Sequence, residues 1–385
     1  MRRPEVRPAG PAVSQAVELR RRYVEELRRE GVTHREDVLR AFDAVPREEF
    51  VRDGFTTGDG RLVAPTDADF LDLVYRDAPL VTKLVDGVPV SSSSQPSLMA
   101  AMIEALDLRP GSRVLEIGVG TGYNAALMSA VGARVTSVDI QPDVVDRAVA
   151  ALARIGLAGA VDVRLGDGYL GVPDAGPYDR VVVTVGLTGV SPHWLAQLVP
   201  DGCVLAPVAH AGSHPVLRVW RSRTGAVEGR AVLRAGFMSA AGPLAARHPW
   251  SHVAPRGGPL APTTLRHPPV WRPPLDVFGY HDLWFAVGAW DRRAGFGAGP
   301  AGGWGGPGGC VLLDGAGTSW AGILADGSVQ AAGPSAGGYA ADALALRDRW
   351  VDEGRPRIDE WCVPLVATVD PETPILVPSG WQRRR

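Results

Sequence analysis

Cysteine is scarce. The three thiols in 385 residues, Cys203, Cys310 and Cys362, are far apart and odd in number, which excludes a disulfide framework or a CxxC metal site and leaves buried thiols as the reading. No apolar run reaches the roughly 18 to 20 residues that cross a bilayer, and the N-terminus MRRPEVRPAGPAVSQAVELRRRY lacks the apolar core of a secretory signal. No membrane partner and a cytoplasmic location are therefore expected. Charge of neither sign is in excess: 40 Lys and Arg face 42 Asp and Glu, a net of -2, so no basic field draws the chain to nucleic acid. Metal-ligand spacing is lacking as well. His248 and His252 are four apart, but Pro249 opposes the helix that would align them, and no metal is predicted. The run AGFGAGPAGGWGGPGG at 294–309 lacks the Lys and Ser/Thr of a phosphate loop and reads as a flexible lid or linker.

What is present is a soluble, folding composition, 45% hydrophobic and 21% charged, at a length that suggests two cores. Residues 1–12 read as a disordered arm, followed by helices over 14–30 and 34–44. The stretch 53–66, rich in Gly, Asp and Thr, reads as an inserted loop. From Ser94 onward β-branched strands alternate with helical segments. Strands are expected at 113–117, 134–139, 161–165, 180–185 and 203–208, and helices at 96–106, 123–131, 142–155 and 192–198, closed by an antiparallel pair at 215–221 and 231–237. This is the pattern of a doubly wound α/β domain.

Beyond Gly242 the composition shifts. Segments 243–275 and 294–309 are too rich in Pro, His and Gly for regular elements, while strand-like runs at 283–289, 311–313 and 323–324 and a helix over 339–351 point to an additional C-terminal α+β domain. The domain reading is thus 1–77, an N-terminal helical segment with the inserted loop; 78–242, the α/β domain; and 243–385, an accessory domain for substrate recognition. Ten of the eleven tryptophans lie beyond residue 200. They either fill the core of a small β-rich domain or form an aromatic wall for a peptide.

The segment VLEIGVGTGYNAAL, 114–127, carries a strand into a glycine turn and then a helix. Gly118, Gly120 and Gly122 permit the tight turn and a close ligand approach, and the helix N-terminus offers free N–H groups. The dinucleotide fingerprint GxGxxG would place glycine at 123, where Tyr123 stands. The spacing favours S-adenosylmethionine over a nicotinamide cofactor. Asp139 closes the next strand where an acid can accept from ribose hydroxyls, and Asp167, in LGDGYLG at 165–171, follows another strand where it could accept from the adenine amino group. Each Asp also has a reading as a helix cap or turn residue.

Residues of about 34 to 240 resemble the protein-L-isoaspartate O-methyltransferases. The resemblance rests on VPREEFV at 45–51, YRDAPL at 75–80, SQPSLMAAMIEAL at 94–106, VLEIGVGTGYNAAL, GDGYLG and PYDRVVVT at 177–184, in the family's order. It implies a Rossmann-like class I S-adenosylmethionine methyltransferase that esterifies an aspartate or isoaspartate carboxylate of a peptide or protein. It implies Ser94 as the catalytic residue beside the acceptor carboxylate, with Ser93, Gln95 and Pro96 binding substrate. The cofactor would be held by Glu116, Gly118, Gly120, Thr121, Gly122, Tyr123, Asn124, Asp139, Ile140, Gly166, Asp167, Gly168 and Thr184. Ser94 has an alternative role as N-cap of the helix that begins at Pro96. Departures from the family are the insertion around 54–70, the segment VTVGLTGVSP at 183–192 without the family's Ala pair, and a tail beyond 242 that the compact repair enzyme lacks. Extended members resemble enzymes that methylate an Asp of a cyclised, ribosomally made peptide, leading to aspartimide and isoaspartate. The alternative is repair of isoaspartate in aged proteins.

Overall fold

A computed structural model of the chain describes residues 11–245, 262–297, 309–314, 318–368, 370 and 372–384. It divides into two compact units, one of residues up to 184 together with 196–205, the other of 185–195 together with 206 onward.

The first unit begins with two helices, α1 (Pro11–Arg29) and α2 (Glu36–Ala44), the second burying Val38, Leu39, Ala41 and Phe42. Helix α2 stops at Val45 because Pro46 forces the residue before it into extended backbone, φ -95 and ψ 113. Strands β1 (Phe55–Thr56) and β2 (Leu62–Val63), helix α3 (Phe70–Val74), and strands β3 (Leu80–Val85) and β4 (Val88–Ser93) follow. The four strands form an antiparallel sheet in the order β2, β1, β3, β4. The stretch 53–66, expected as a loop, is therefore a hairpin. Its polar composition conceals two apolar anchors, Phe55 and Val63, which are buried, and Gly54, at φ +85, whose added Cβ would lie 2.5 Å from the Val63 carbonyl oxygen.

Helix α4 (Pro96–Leu106) starts with its proline at the first turn, where the missing N–H costs nothing. After it come β5 (Arg113–Ile117), α5 (Tyr123–Ala130), β6 (Arg134–Asp139), α6 (Pro142–Arg154), β7 (Val161–Leu165), β8 (Tyr178–Val183) and β9 (Leu198–Pro207). Strand β5 pairs in parallel with β6 and β8, β6 with β7, and β8 with β9. The order β7, β6, β5, β8, β9 reverses direction between β5 and β8, so a crevice opens beyond their carboxyl ends. The doubly wound α/β expectation is met.

The second unit contains α7 (Pro192–Ala196) and an antiparallel set in which β10 (Val216–Arg221) pairs with β11 (Val227–Leu233). A second, five-stranded sheet is built from β12 (Leu265–His267), β13 (Ala294–Gly297), β14 (Gly309–Leu313), β15 (Trp320–Ile323) and β16 (Val329–Ala332). Helix α8 (Val277–Trp290) precedes β13, and α9 (Ala336–Asp352) precedes β17 (Trp361–Ala367), β18 (Leu376–Pro378) and β19 (Gln382–Arg383). Strand β17 pairs with β11, β18 and β19.

Several expectations for this region are corrected. The run 283–289, read as a strand, is helical. It lies in α8, whose residues 282–287 are all buried, so its apolar sequence carries no helical period to betray it. Asp276 starts the helix by accepting from Gly279 N at 2.7 Å. Within the Pro- and Gly-rich segments, 265–267 and 294–297 are strands, because pairing to β16 and β14 needs only backbone. Residues 246–261, with His248 and His252, and 298–308 of the glycine run lie outside the described residues. Trp284, Trp320, Trp350 and Trp361 are buried, as the core reading expects, whereas Trp271 and Trp290 are half-buried. Cys203 and Cys310 are buried, but Cys362 is partly exposed on β17.

Candidate active site

Beyond the end of β5 the backbone turns through Gly118, Gly120 and Gly122 at φ values of +95, +51 and +85, all in the left-handed region that penalises a Cβ. Gly118 N donates to Val138 O at 2.8 Å and Gly122 N to Val119 O at 2.8 Å. Val119 packs with Val144, Val145 and Ala148 of α6, which fixes the turn from below. The free N–H groups at the start of α5 make that helix end positive.

Asp139, at the end of β6, accepts from Gly120 N at 3.3 Å and Gln141 N at 3.1 Å. Burial pushes its pKa up, against the pull of these backbone hydrogen bonds. The next residue, Ile140, is 51% exposed, an apolar surface against which a flat ring can pack. Gly166 N donates to Asp139 O at 2.9 Å and brings the GDG segment beside the acid. There Asp167 is exposed and accepts from Tyr169 N at 2.9 Å, capping a short 3-10 turn. Gly168 has a packing reason: its Cβ would lie 2.6 Å from Ile117 Cγ2.

Glu116 is fully buried inside the strand. It accepts from Ser137 Oγ at 2.6 Å and Asn124 Nδ2 at 2.7 Å. Burial pushes its pKa up to about 7, with those two donors pulling the other way. Asn124 Oδ1 is buried without a hydrogen-bond partner, an acceptor in want of a donor. Thr184 sends its hydroxyl to Gly118 O at 2.7 Å and Ile117 O at 3.1 Å and so ties the ends of β5 and β8 together. Thr121 is buried, its Oγ1 3.5 Å from Tyr123 N. The Tyr123 side chain turns the other way, 1% exposed and packed on Phe42 and Phe50. It is a core anchor for α5, and only its backbone belongs to the turn.

A ligand with a cationic amino-acid end, a ribose diol and a flat base suits this set: the glycine turn, the Asp139 carboxylate, exposed Ile140 and the unpartnered Asn124 oxygen. S-adenosylmethionine is such a ligand, and the residues fit it.

The serine run reaches the same turn. A Cβ added to Gly120 would lie 3.1 Å from Ser92 O, and Gln141 Nε2 donates to Val90 O at 3.1 Å. Ser94 is half-exposed and does not cap α4, whose N-cap is Gln95 without a side-chain cap bond. Ser93 faces the interior at 2% exposure and accepts from Arg47 Nε at 3.4 Å. Gln95 Nε2 is held by Asp77 Oδ2 at 2.7 Å, and Pro96 is buried.

Sequence reasoning gave no role to Arg47 or Asp77. Both sit in the segments VPREEFV and YRDAPL, where one charged residue among several carries no mark of burial or capping. Among the described residues no group of three or more His, Cys, Asp or Glu could hold a metal, and no helix is long and apolar enough to cross a membrane.

The sequence profile of the family described as protein-L-isoaspartate(D-aspartate) O-methyltransferase matches residues 18–244. A protein-L-isoaspartate O-methyltransferase from Hyperthermus butylicus is 34% identical over 60% of this chain and 91% of its own length. One from Methylorubrum extorquens is 38% identical over 48% of this chain and 71% of its own. A solved structure titled protein-L-isoaspartate O-methyltransferase, 27% identical, covers 94% of this chain and 99% of its own at a TM-score of 0.52. That span takes in most of the tail beyond residue 242, so an extended tail occurs in another protein of this name. With its profile matching more than half of the residues, this chain belongs to the protein-L-isoaspartate(D-aspartate) O-methyltransferase family and is an S-adenosylmethionine-dependent methyltransferase.

Proposed function

We propose that the enzyme esterifies the side-chain carboxylate of an isoaspartyl or aspartyl residue in a peptide or protein, with Ser94 beside the acceptor and the turn at 118–122, Asp139 and Ile140 holding the cofactor. One observation carries this reading. Ser94, half-exposed, makes no side-chain hydrogen bond to a described residue, and it stands two residues from Ser92, whose carbonyl abuts Gly120. A hydroxyl without a partner beside the cofactor turn is free to donate to a carboxylate.

When bound, S-adenosylmethionine supplies a methyl group on a cationic sulfur. A carboxylate is ionised at neutral pH, so no side chain has to remove a proton. The protein's part is to hold the acceptor in line and to exclude water. Donation from Ser94 to one carboxylate oxygen orients the other toward the methyl carbon.

Two acceptor classes fit the same core. The appended tail and the insertion at 53–66 support the narrower reading, in which the acceptor is an Asp of a cyclised, ribosomally made peptide and the ester collapses to aspartimide and isoaspartate. The extended span of a solved relative that bears the plain family name supports the other reading, methylation of isoaspartate in aged proteins. Incubation of the enzyme and S-adenosylmethionine with a linear isoaspartyl peptide and with a cyclised Asp peptide separates them by mass spectrometry. A gain of one CH2 on the linear peptide alone indicates repair, whereas a gain on the cyclised peptide alone, followed by loss of methanol, indicates the specialised acceptor. No gain on either peptide removes the carboxylate reading.

A further inference from the structure

We propose that Arg47 and Asp77 form a clamp that positions the acceptor loop, Ser93 to Gln95, and thereby sets the enzyme's affinity for its carboxylate acceptor. The inference rests on the function proposed above.

Arg47 is completely buried, and no described carboxylate pairs with it. Its guanidinium is spent on main-chain carbonyls instead. It reaches Val74 O at 2.8 Å, Arg76 O at 3.1 Å and Ala78 O at 3.0 Å on one side. On the other it reaches Ser94 O at 3.0 Å and Ser93 O at 3.4 Å. A planar fork of five donors is the one side chain that can join two loops in this way. Lysine, with a compact head and no fork, cannot reproduce the pattern.

The loop so joined to Ser94 contains Asp77, which closes the other half of the clamp. Asp77 accepts from Ser97 N at 2.8 Å, Ser97 Oγ at 2.7 Å and Gln95 Nε2 at 2.7 Å. The first turn of α4, left uncapped by its own N-cap residue, is thus capped from the segment that Arg47 holds. Ser94 lies between the two attachments. Its carbonyl is fixed by Arg47 and its neighbour by Asp77, while its own hydroxyl is left free.

The test uses the full chain, with Arg47→Lys, Asp77→Ala and Ser94→Ala alone and in pairs. Acceptor KM and kcat are measured on an isoaspartyl peptide, and the S-adenosylmethionine Kd by calorimetry. Arg47→Lys and Asp77→Ala are each expected to raise acceptor KM by about tenfold, the range of one charge-assisted contact, with the cofactor Kd within about twofold. In the Ser94→Ala background either change should add little, because the clamp acts through Ser94. Unchanged KM in the folded variants, a cofactor Kd that rises in step with KM, or full additivity with Ser94→Ala would each overturn the proposal. Asp77 is exposed, so Asp77→Ala keeps the test alive if Arg47→Lys does not fold. Should the wild type methylate no acceptor, the proposed function fails separately. Hydrogen exchange then judges the clamp: residues 93–97 must exchange faster in Asp77→Ala, and equal protection would reject it.

Discussion

Ser92 and Gly120 approach each other closely: a methyl group on Gly120 would stand 3.1 Å from the Ser92 carbonyl oxygen. Ser92 belongs to the antiparallel hairpin of β3 and β4, Gly120 to the turn that leaves β5 of the parallel sheet. Their approach brings the segment proposed to meet the acceptor beside the segment proposed to hold the cofactor, and it leaves little room for a side chain where they meet. The same contact couples the turn to the loop that carries Ser94, only two residues on. The site assignments built on this geometry can be tested one by one.

Asp139→Ala removes a carboxylate that accepts from Gly120 N and Gln141 N and that the proposed function places against the cofactor's ribose. The S-adenosylmethionine Kd measured by calorimetry should rise about tenfold to a hundredfold, the range for hydrogen bonds to a charged group. An unchanged Kd would remove Asp139 from the cofactor site and leave it as an organiser of the turn.

Ser94→Ala should lower kcat/KM for the acceptor by about tenfold or more while leaving the cofactor Kd within about twofold, since the proposed function gives the lost donor to the acceptor carboxylate and not to the cofactor. Steady-state kinetics on an isoaspartyl peptide, paired with calorimetry, checks this. Full activity would return Ser94 to a loop residue without a chemical role.

Tyr123→Phe separates packing from binding. The phenol oxygen is buried without a partner, and the ring packs on Phe42 and Phe50. Removing an unsatisfied hydroxyl while the ring stays should hold or raise stability, by up to about 1 kcal/mol, with the cofactor Kd unchanged. Denaturant unfolding and calorimetry read both quantities. A weaker Kd would restore Tyr123 to the cofactor site as a side chain.

The elements that follow a simple period were legible in the sequence. Strands β5, β6 and β7 and helix α4 fall on the expected residues because β-branched runs and a proline-led helix mark their own ends. The glycine turn was legible for the same local reason. What stayed hidden depends on contacts distant in sequence. The hairpin at 55–63 is held by two buried side chains in a polar stretch, and α8 is buried all round over 282–287, Asp282 included. Arg47 reads as an ordinary polar residue until its carbonyl partners 27 to 47 positions away are known. Thr184 stands where the block PYDRVVVT marks it, yet its hydroxyl is occupied by Gly118 O and Ile117 O, a structural tie that no motif discloses.

Glu116 makes the enzyme's stability depend on pH in a direction opposite to that of most carboxylates. It is fully buried against Ser137 and Asn124, with Asp139 the charged group that acts on it, and its pKa is pushed up to about 7 by burial. Below the ordinary carboxylate range of about 4 to 5, both the folded and the unfolded chain carry the proton, and the group has no effect. Between that range and pH 7 the unfolded chain gives the proton up while the folded one keeps it. The fold then binds more protons than the unfolded state, and stability falls as pH rises. Above pH 7 the loss is complete. For a shift of this size it amounts to roughly 3 kcal/mol, in a group that no solvent screens. Glu116→Gln keeps the shape, offers one acceptor and one donor group as the protonated acid does, and cannot titrate. Urea unfolding at pH 5 and pH 8 should therefore show the wild type losing stability relative to Glu116→Gln by a few kcal/mol between the two. Other titrating groups, Asp139 included, largely cancel in that difference. Parallel pH curves for the two proteins would mean that Glu116 is ionised in the fold at pH 5, with Asn124 and Ser137 outweighing its burial.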